Sequence, residues 1–275
     1  MTTTLRPAGA ERRGPDGFRA RTYAVCVNSR PVGSVDLSTG KALGPAVGTI
    51  SGLAIDVPDR RRGRGAAAAL ASEEVLRSWG CALVKIAVPV DAEHALRLAS
   101  ALCYAERNRH LRKELGAPRG LPPGSSARAL SAAEYAPWQA RMRRDGVESL
   151  VALGVPREVA EGRERASTAA LLPDPVTGAV PEGVELLGVA HDGEDVAALW
   201  MRTAEPAWVY AVEVAEEFRG RGHGRTAMLA AEDAGRAAGA RTIGLNVFTS
   251  NAPAMALYAS LGYRTVVRHF TKPLV

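Results

Sequence analysis

Phe218-Arg219-Gly220-Arg221-Gly222-His223-Gly224-Arg225 gathers glycines and arginines at one point in the chain. Glycines let a backbone turn tightly and approach a ligand closely. A helix beginning at this string adds free N–H groups and a dipole that both favour an anion. Arg221 and Arg225 bring charge-assisted contacts to phosphate. The chemistry on offer is a pyrophosphate cradle. The competing reading is a solvated basic turn, since a chain with 28 glycines and many arginines makes such strings readily. A second constellation follows 32 residues after Arg219: Asn251-Ala-Pro-Ala-Met-Ala-Leu-Tyr258, then Leu261-Gly262-Tyr263.

The elements that must hold these residues are legible around them. Strands are expected at Val184–Ala190, Val196–Arg202 and Trp208–Val214, and a helix from Gly222 to Ala238 closed by Gly239. Thr242–Val247 reads as a strand, Ala252–Leu261 as a helix, and Tyr263–Leu274 as two short strands. Upstream, Ser131 with Glu134 has capping-box spacing and opens a helix that runs to about Leu153 and stops at Gly154. A second helix starts near Pro156 and ends before the turn-rich stretch Pro173 to Gly183. Gly116 to Ser126 is dominated by glycine, proline and serine and reads as a linker without a helix or central strand.

The first half repeats the later part of this order. Thr22–Val27 and Val32–Asp36 form a hairpin around Asn28-Ser-Arg-Pro31, and Val47–Val57 is a strand. A helix from Gly65 to Gly80, a strand at Leu83–Val88, a helix at Ala92–Leu102 and closing strands from Tyr104 to Leu115 complete it. Leu102-Cys103-Tyr104 and Leu261-Gly262-Tyr263 lie 159 residues apart, as do Lys113 and Lys272. Arg62-Gly-Arg-Gly65 and Arg219-Gly-Arg-Gly222 match at 157. Two anchors so close to one offset argue for internal duplication. The division expected is residues 1–115, a linker at 116–127, and 128–275.

Strand, Arg-x-x-Gly-x-Gly, helix, strand, Asn, then Ala-Leu-Tyr and Leu-Gly-Tyr resembles the GNAT superfamily of acyl-CoA-dependent N-acyltransferases. The likeness is detailed over about residues 195–275 and holds in element order over 128–275. It implies an α/β fold: two GNAT-like domains in tandem, each a twisted mixed sheet flanked by helices. It further implies that strands four and five splay apart at a bulge and that the pantetheine arm of acetyl-CoA lies in the gap, pairing like an added strand. Strand four is then Trp208–Val214, whose backbone from Val212 to Val214 meets the arm and holds the thioester oxygen. Arg219, Gly220, Arg221, Gly222, His223, Gly224 and Arg225 form the phosphate loop, His223 mainly through its backbone. Asn251 caps the last helix and also bonds the pantetheine or a nearby loop.

The same resemblance puts Tyr258 in the general-acid position, where it protonates the departing thiolate. A phenol suits that task because the proton moves only as sulfur takes on charge. A packed aromatic on a helix face is the plainer reading. Some members carry a glutamate on strand five where Asn246 stands here, so the base is sought in Glu213, late in strand four. Plain alternation groups 209, 211 and 213 on one face without saying which face looks into the cleft. In the first half, Arg61-Arg62-Gly63-Arg64-Gly65-Ala66-Ala67 fits Arg-x-x-Gly-x-Ala, so Arg62, Gly63, Arg64, Gly65 and Ala67 form a candidate second CoA site. Ala99 stands where Tyr258 would be, Cys103 replaces Gly262, and the two helices that build the acceptor wall are missing. Asp91 and His94, which open the last helix there, read as cap and surface residues. The first half is thus expected to be a degenerate copy.

Composition bounds the rest. The 275 residues suit one large domain or two compact ones, and 47% hydrophobic with 23% charged residues is ordinary globular usage. No apolar run approaches the roughly 18 residues of a membrane helix. Cys26, Cys81 and Cys103 make no CxxC pair, so no disulfide framework or zinc site is expected, nor any other metal. With no apolar leader at its start, the chain is expected to be cytoplasmic. Net charge is +6, yet 31 of the 35 basic residues are arginine, which fits coding bias better than nucleic-acid binding. Residues 1–115 carry +7 and residues 128–275 carry −2. The function expected is transfer of an acetyl or small acyl group from CoA to the primary amine of a small molecule. Two alternatives stay open: an aminoacyl-tRNA-dependent transferase that uses the basic half, and a non-catalytic CoA-binding protein. The acceptor and the oligomeric state are not legible.

Overall fold

The computed structural model describes all residues except 1, 15–16, 41–43, 153–154, 172–180 and 275. The chain divides into two compact units, one of residues 1–108 with 267–275, the other of residues 109–266. The division falls inside the last strand of each repeat and not at the proline-rich segment.

The first unit is a sheet with strands β1 (Thr3–Pro7), β3 (Arg19–Val27), β4 (Arg30–Gly40), β5 (Gly44–Ile55) and β6 (Leu83–Pro89), in that order, and a two-residue β2 (Arg12–Arg13) against β3. Residues 267–273 then pair antiparallel with β6. The β3–β4 turn sits on Asn28 and Ser29, both at positive φ, as a tight hairpin requires. Helices α1 (Arg64–Ser78) and α2 (Glu93–Ala101) flank the sheet. Its core joins Val25, Val32, Val35 and Leu37 to Ala68 and Leu76 of α1, with Phe270 and Leu274. The closing strand of this repeat, β7 (Ala105–Glu114), is one strand where the sequence suggests several. β1 and β2 carry no periodic apolar pattern and are sequence-silent edges.

The second unit carries β8 (Ser125–Ala129), α3 (Ala132–Ala152), α4 (Arg157–Leu171), β9 (Val184–His191), β10 (Glu194–Arg202), β11 (Ala207–Val214), α5 (His223–Ala237), β12 (Thr242–Phe248) and α6 (Ala252–Ser260); β13 (Arg264–Pro273) starts in it, and its residues from Val267 on belong to the first unit. β13 is likewise one strand, not two. The sheet order is β7-β12-β11-β10-β9-β8. β8 reuses the last residues of the proline-rich segment as an edge strand on β9, a position that asks little of its sequence. Leu153, Gly154 and most of the Pro173–Gly183 stretch lie outside the described residues.

Two faces of this sheet are covered differently. On one, Val196, Leu199, Met201, Val209 and Ile243 pack on Ala227, Met228 and Ala231 of α5. On the other, Trp200, Leu186 and Val184 pack on Trp138 of α3. The start of α3 is the anticipated capping box: the Ser131 backbone N–H donates to Glu134 at 2.8 Å. Arg128 and Ser131 together hold the Glu134 carboxyl down at about 2.

Candidate functional site

β11 and β12 run parallel but pair only from Ala207–Val209 to Ile243–Leu245. Both continue, β11 to Val214 and β12 to Phe248, so a wedge opens beyond Val209. The cause lies one strand away. Trp200 faces Ala211 while Met201 faces Val209, which leaves Tyr210 as an extra residue in β11. Such a bulge bends its strand and raises the local twist.

The bulge also corrects the face assignment. Val209 packs on the α5 side, and so do Val212 and Val214, whereas Tyr210 and Ala211 pack on the α3 side. Residues 209 and 211 therefore do not share a face: one inserted residue reverses the alternation. Glu213 goes with Ala211 to the α3 side, where both its carboxylate oxygens meet the Arg141 guanidinium at 3.3 and 3.4 Å. Val212 and Val214 line the wedge with backbone, in register with Leu199 and Ala197 across the ladder.

The loop between β11 and α5 holds Gly220 at φ 77° and Gly222 at φ 91°, a left-handed conformation that disfavours side chains. Gly222 is the N-cap of α5, and a Cβ built there or on Gly220 would meet nothing within 4 Å. Space is thus open at the start of the helix, where free N–H groups favour a phosphate. The side chains divide the work. Arg219 donates through Nε to the Val214 carbonyl at 3.1 Å, so it braces the loop against the strand end. Arg225 is tied to Ser260 Oγ at 2.6 Å. Arg221 lies over the Phe218 ring at 5.9 Å. His223 is buried, with its ring 5.1 Å from that of His191, and burial, then His191 and Arg221, hold it below the ordinary histidine value. A Cβ on Gly224 would stand 3.2 Å from Leu257, which shows how closely α5 starts against α6.

Asn251 caps α6 through its Oδ1, which accepts from the Ala254 N–H at 3.1 Å. Tyr258 packs on the α5-side core with its ring 5.8 Å from Tyr263. Burial raises its pKa above the usual phenol value, so it carries its proton throughout the neutral range. Asn246 is exposed on β12 and offers no carboxylate. The wedge, the loop, Tyr258 and Glu213 thus all belong to the second unit.

The first unit repeats the frame. β5 and β6 pair only over Val47–Thr49 and Leu83–Lys85 and then part. Arg60 Nε donates to the Ile55 carbonyl at 2.6 Å, as Arg219 does to Val214 159 residues later. Gly63, the N-cap of α1 at φ 73°, corresponds to Gly222, and Arg61 at φ 59° to Gly220. The loops therefore superpose at an offset of 159, not the 157 suggested by the repeated Arg-Gly-Arg-Gly. Backbone conformation aligns Arg60-x-x-Gly63-x-Gly65 with Arg219-x-x-Gly222-x-Gly224; the letter match aligned composition. In this register Arg62 matches Arg221 and Ala67 lies inside α1. Arg64 is buried and paired with Asp59, which also takes Arg30 at 2.8 Å. Ala99, Ala92 and Ala54 stand where the second unit has Tyr258, Asn251 and Glu213.

Sequence reasoning missed a buried triad in each unit. Lys113 donates to Glu232 at 2.6 Å beside Tyr263, and Lys272 donates to Glu73 at 2.7 Å beside Tyr104. The lysines and tyrosines anchor the repeat in the sequence, and Glu73 and Glu232, also 159 apart, are the signal that completes each triad.

A profile of the acetyltransferase (GNAT) family matches residues 6–103 and 158–263. No curated protein matches the sequence. Among solved structures, the chain is similar to a tandem GNAT protein from the clavulanic acid biosynthesis pathway, at 20% identity and TM-score 0.54, covering 96% of this chain and 86% of that one. It is also similar to a GCN5-related N-acetyltransferase from Sphaerobacter thermophilus, at 20% identity and TM-score 0.60, covering 92% and 80%. An acetyltransferase of the GNAT family from Colwellia psychrerythraea follows at 15% identity and TM-score 0.51, covering 92% and 84%. At these identities the likeness concerns the fold.

Proposed function

The chain belongs to the GNAT acetyltransferase family, and from that premise we propose that it transfers an acetyl or small acyl group from CoA to the primary amine of a small molecule, at the wedge of the second unit. The observation that carries this reading is the wedge itself. β11 and β12 part beyond Val209, the glycine loop that follows β11 has open space at Gly220 and Gly222, and Tyr258 packs on the same core as Val212 and Val214.

When bound, acyl-CoA supplies the thioester. The loop N–H groups at Gly222 to Gly224 hold the pyrophosphate, with Arg221 as its nearby cation. The β11 backbone between Val212 and Val214 orients the arm and directs an N–H at the carbonyl oxygen, where charge develops. Tyr258 keeps its proton until sulfur leaves. Arg219 and Arg225 act by bracing the loop, given their bonds to Val214 and Ser260. Arg62, Gly63, Arg64, Gly65 and Ala67 carry no catalytic role in this reading, because Ala99 offers no proton.

The test is release of free CoA thiol from acetyl-CoA with a panel of amines, aminoglycosides, amino acids and peptide N-termini, paired with calorimetric binding of acetyl-CoA. Gly222→Val puts a side chain in the phosphate space and in a strained φ, so acetyl-CoA affinity should be lost while the fold persists by circular dichroism. Unchanged affinity would remove the loop from the site.

A further inference from the structure

We propose that the acceptor is an α-amino acid, held by Arg141 through its carboxylate and by Glu213 through its ammonium group. The proposal rests on the reading of the wedge as the acyl-CoA site.

Access comes first. Val212 and Val214 pack on the α5-side core together with Tyr258, so β11 turns only apolar side chains to that side beyond the bulge. An amine must then reach the carbonyl carbon from the α3 side. Of the β11 side chains turned that way after the bulge, Tyr210, Ala211 and Glu213, only Glu213 is charged. It lies on the stretch of β11 assigned to the thioester.

The partner comes next. Arg141 reaches Glu213 from α3 with two nitrogens at 3.3 and 3.4 Å, near the outer limit for such bonds. The side chains are 48% and 30% exposed. An ion pair so open contributes almost nothing to stability. A ligand that brings its own ammonium and carboxylate can therefore separate the pair at little cost and satisfy both ends. Because the two charges are adjacent, the ligand's charges must be adjacent too. An α-amino acid meets that demand, and a simple amine leaves Arg141 without a partner. The repeat supplies a control. Where Tyr258 and Glu213 are replaced by Ala99 and Ala54, no counterpart of α3 precedes the hairpin among the described residues.

The proton balance is closed. The Glu213 carboxylate takes one proton from the acceptor ammonium. The neutral nitrogen forms a bond to the thioester carbonyl carbon and then loses a second proton. The C–S bond breaks with its electron pair on sulfur, which takes the Tyr258 proton. Glu213 then releases its proton to water, the Tyr258 oxygen regains one from water, and the second nitrogen proton goes to water. Amide, free thiol and one proton result.

The experiment uses the full chain with acetyl-CoA and compares α-amino acids with the amines that lack only the carboxylate. In the wild type, kcat/KM for at least one amino acid should exceed that of its matched amine by tenfold or more. Arg141→Gln should raise the amino acid's KM about 10- to 100-fold, the range for losing a hydrogen bond between charged groups. It should affect the matched amine far less and leave the KM of acetyl-CoA unchanged. Arg141→Lys should restore part of the preference. Equal use of amine and amino acid, equal effects of Arg141→Gln on both, or acetyl-CoA binding without turnover of any amino acid would each overturn the proposal. Failure to bind acetyl-CoA would instead overturn the wedge reading on which it stands.

Discussion

At the residue scale, Tyr258 and Asn251 are separable by kinetics and melting. In the proposed reaction the Tyr258 hydroxyl is needed only when the C–S bond breaks, so its contribution would belong to the transition state. Tyr258→Phe should lower kcat by about 10²–10⁴-fold with little change in the KM of acetyl-CoA. The ring stays packed on the α5-side core, so the melting temperature should hold. A kcat within about threefold of wild type, far short of that range, would reduce Tyr258 to packing. Asn251 has a visible structural task in its bond to the Ala254 N–H. Asn251→Ala should cost about 1 kcal/mol in stability, the usual value for a lost cap. If the cap is its whole role, denaturant titration will report that loss while acetyl-CoA affinity stays constant.

At the element scale, backbone conformation carries information that residue type hides. The single insertion at Tyr210 turns Glu213 toward α3 and frees the edge of β11. Alternation alone placed 209 and 211 together because a bulge has no obligatory residue. The helix ends show the same rule with a measurable consequence. Gly262, just after α6, has φ 90°, and Cys103, at the same place after α2, has φ 61°. A non-glycine residue there costs roughly 1–2 kcal/mol. Glycine relieves that strain but loses more entropy on folding. Cys103→Gly should therefore stabilise the first unit by up to about 1 kcal/mol, or about 2–4 °C for a chain of this size. Calorimetry showing an unchanged or lowered midpoint would mean the left-handed turn is not strained.

At the scale of the whole molecule, the chain is two copies of one frame whose ends are exchanged. Residues 267–275 belong to the first unit and residues 109–115 to the second. Each exchanged strand carries one lysine to a buried glutamate of the unit it joins. Removing one partner of a buried pair typically costs about 3–5 kcal/mol, because the other charge is left behind. Glu232 keeps Arg236 at 3.7 Å, whereas Glu73 keeps the neutral Tyr104 hydroxyl at 2.8 Å. Lys272→Met should thus destabilise more than Lys113→Met, and urea unfolding of the two variants will order them. The repeat, the order of its elements, the family resemblance and the imbalance between a half with Tyr258 and a half with Ala99 are all legible in the residues. These follow from local signals: hydrophobic period, glycine and proline punctuation, and motif spacing. The repeat register at the loop, the side taken by Glu213, its pairing with Arg141, and the strand exchange that divides the chain at 108 and 266 come from the folded chain. Each of those depends on which backbone groups find partners far away in sequence, and nothing in a local pattern encodes that choice.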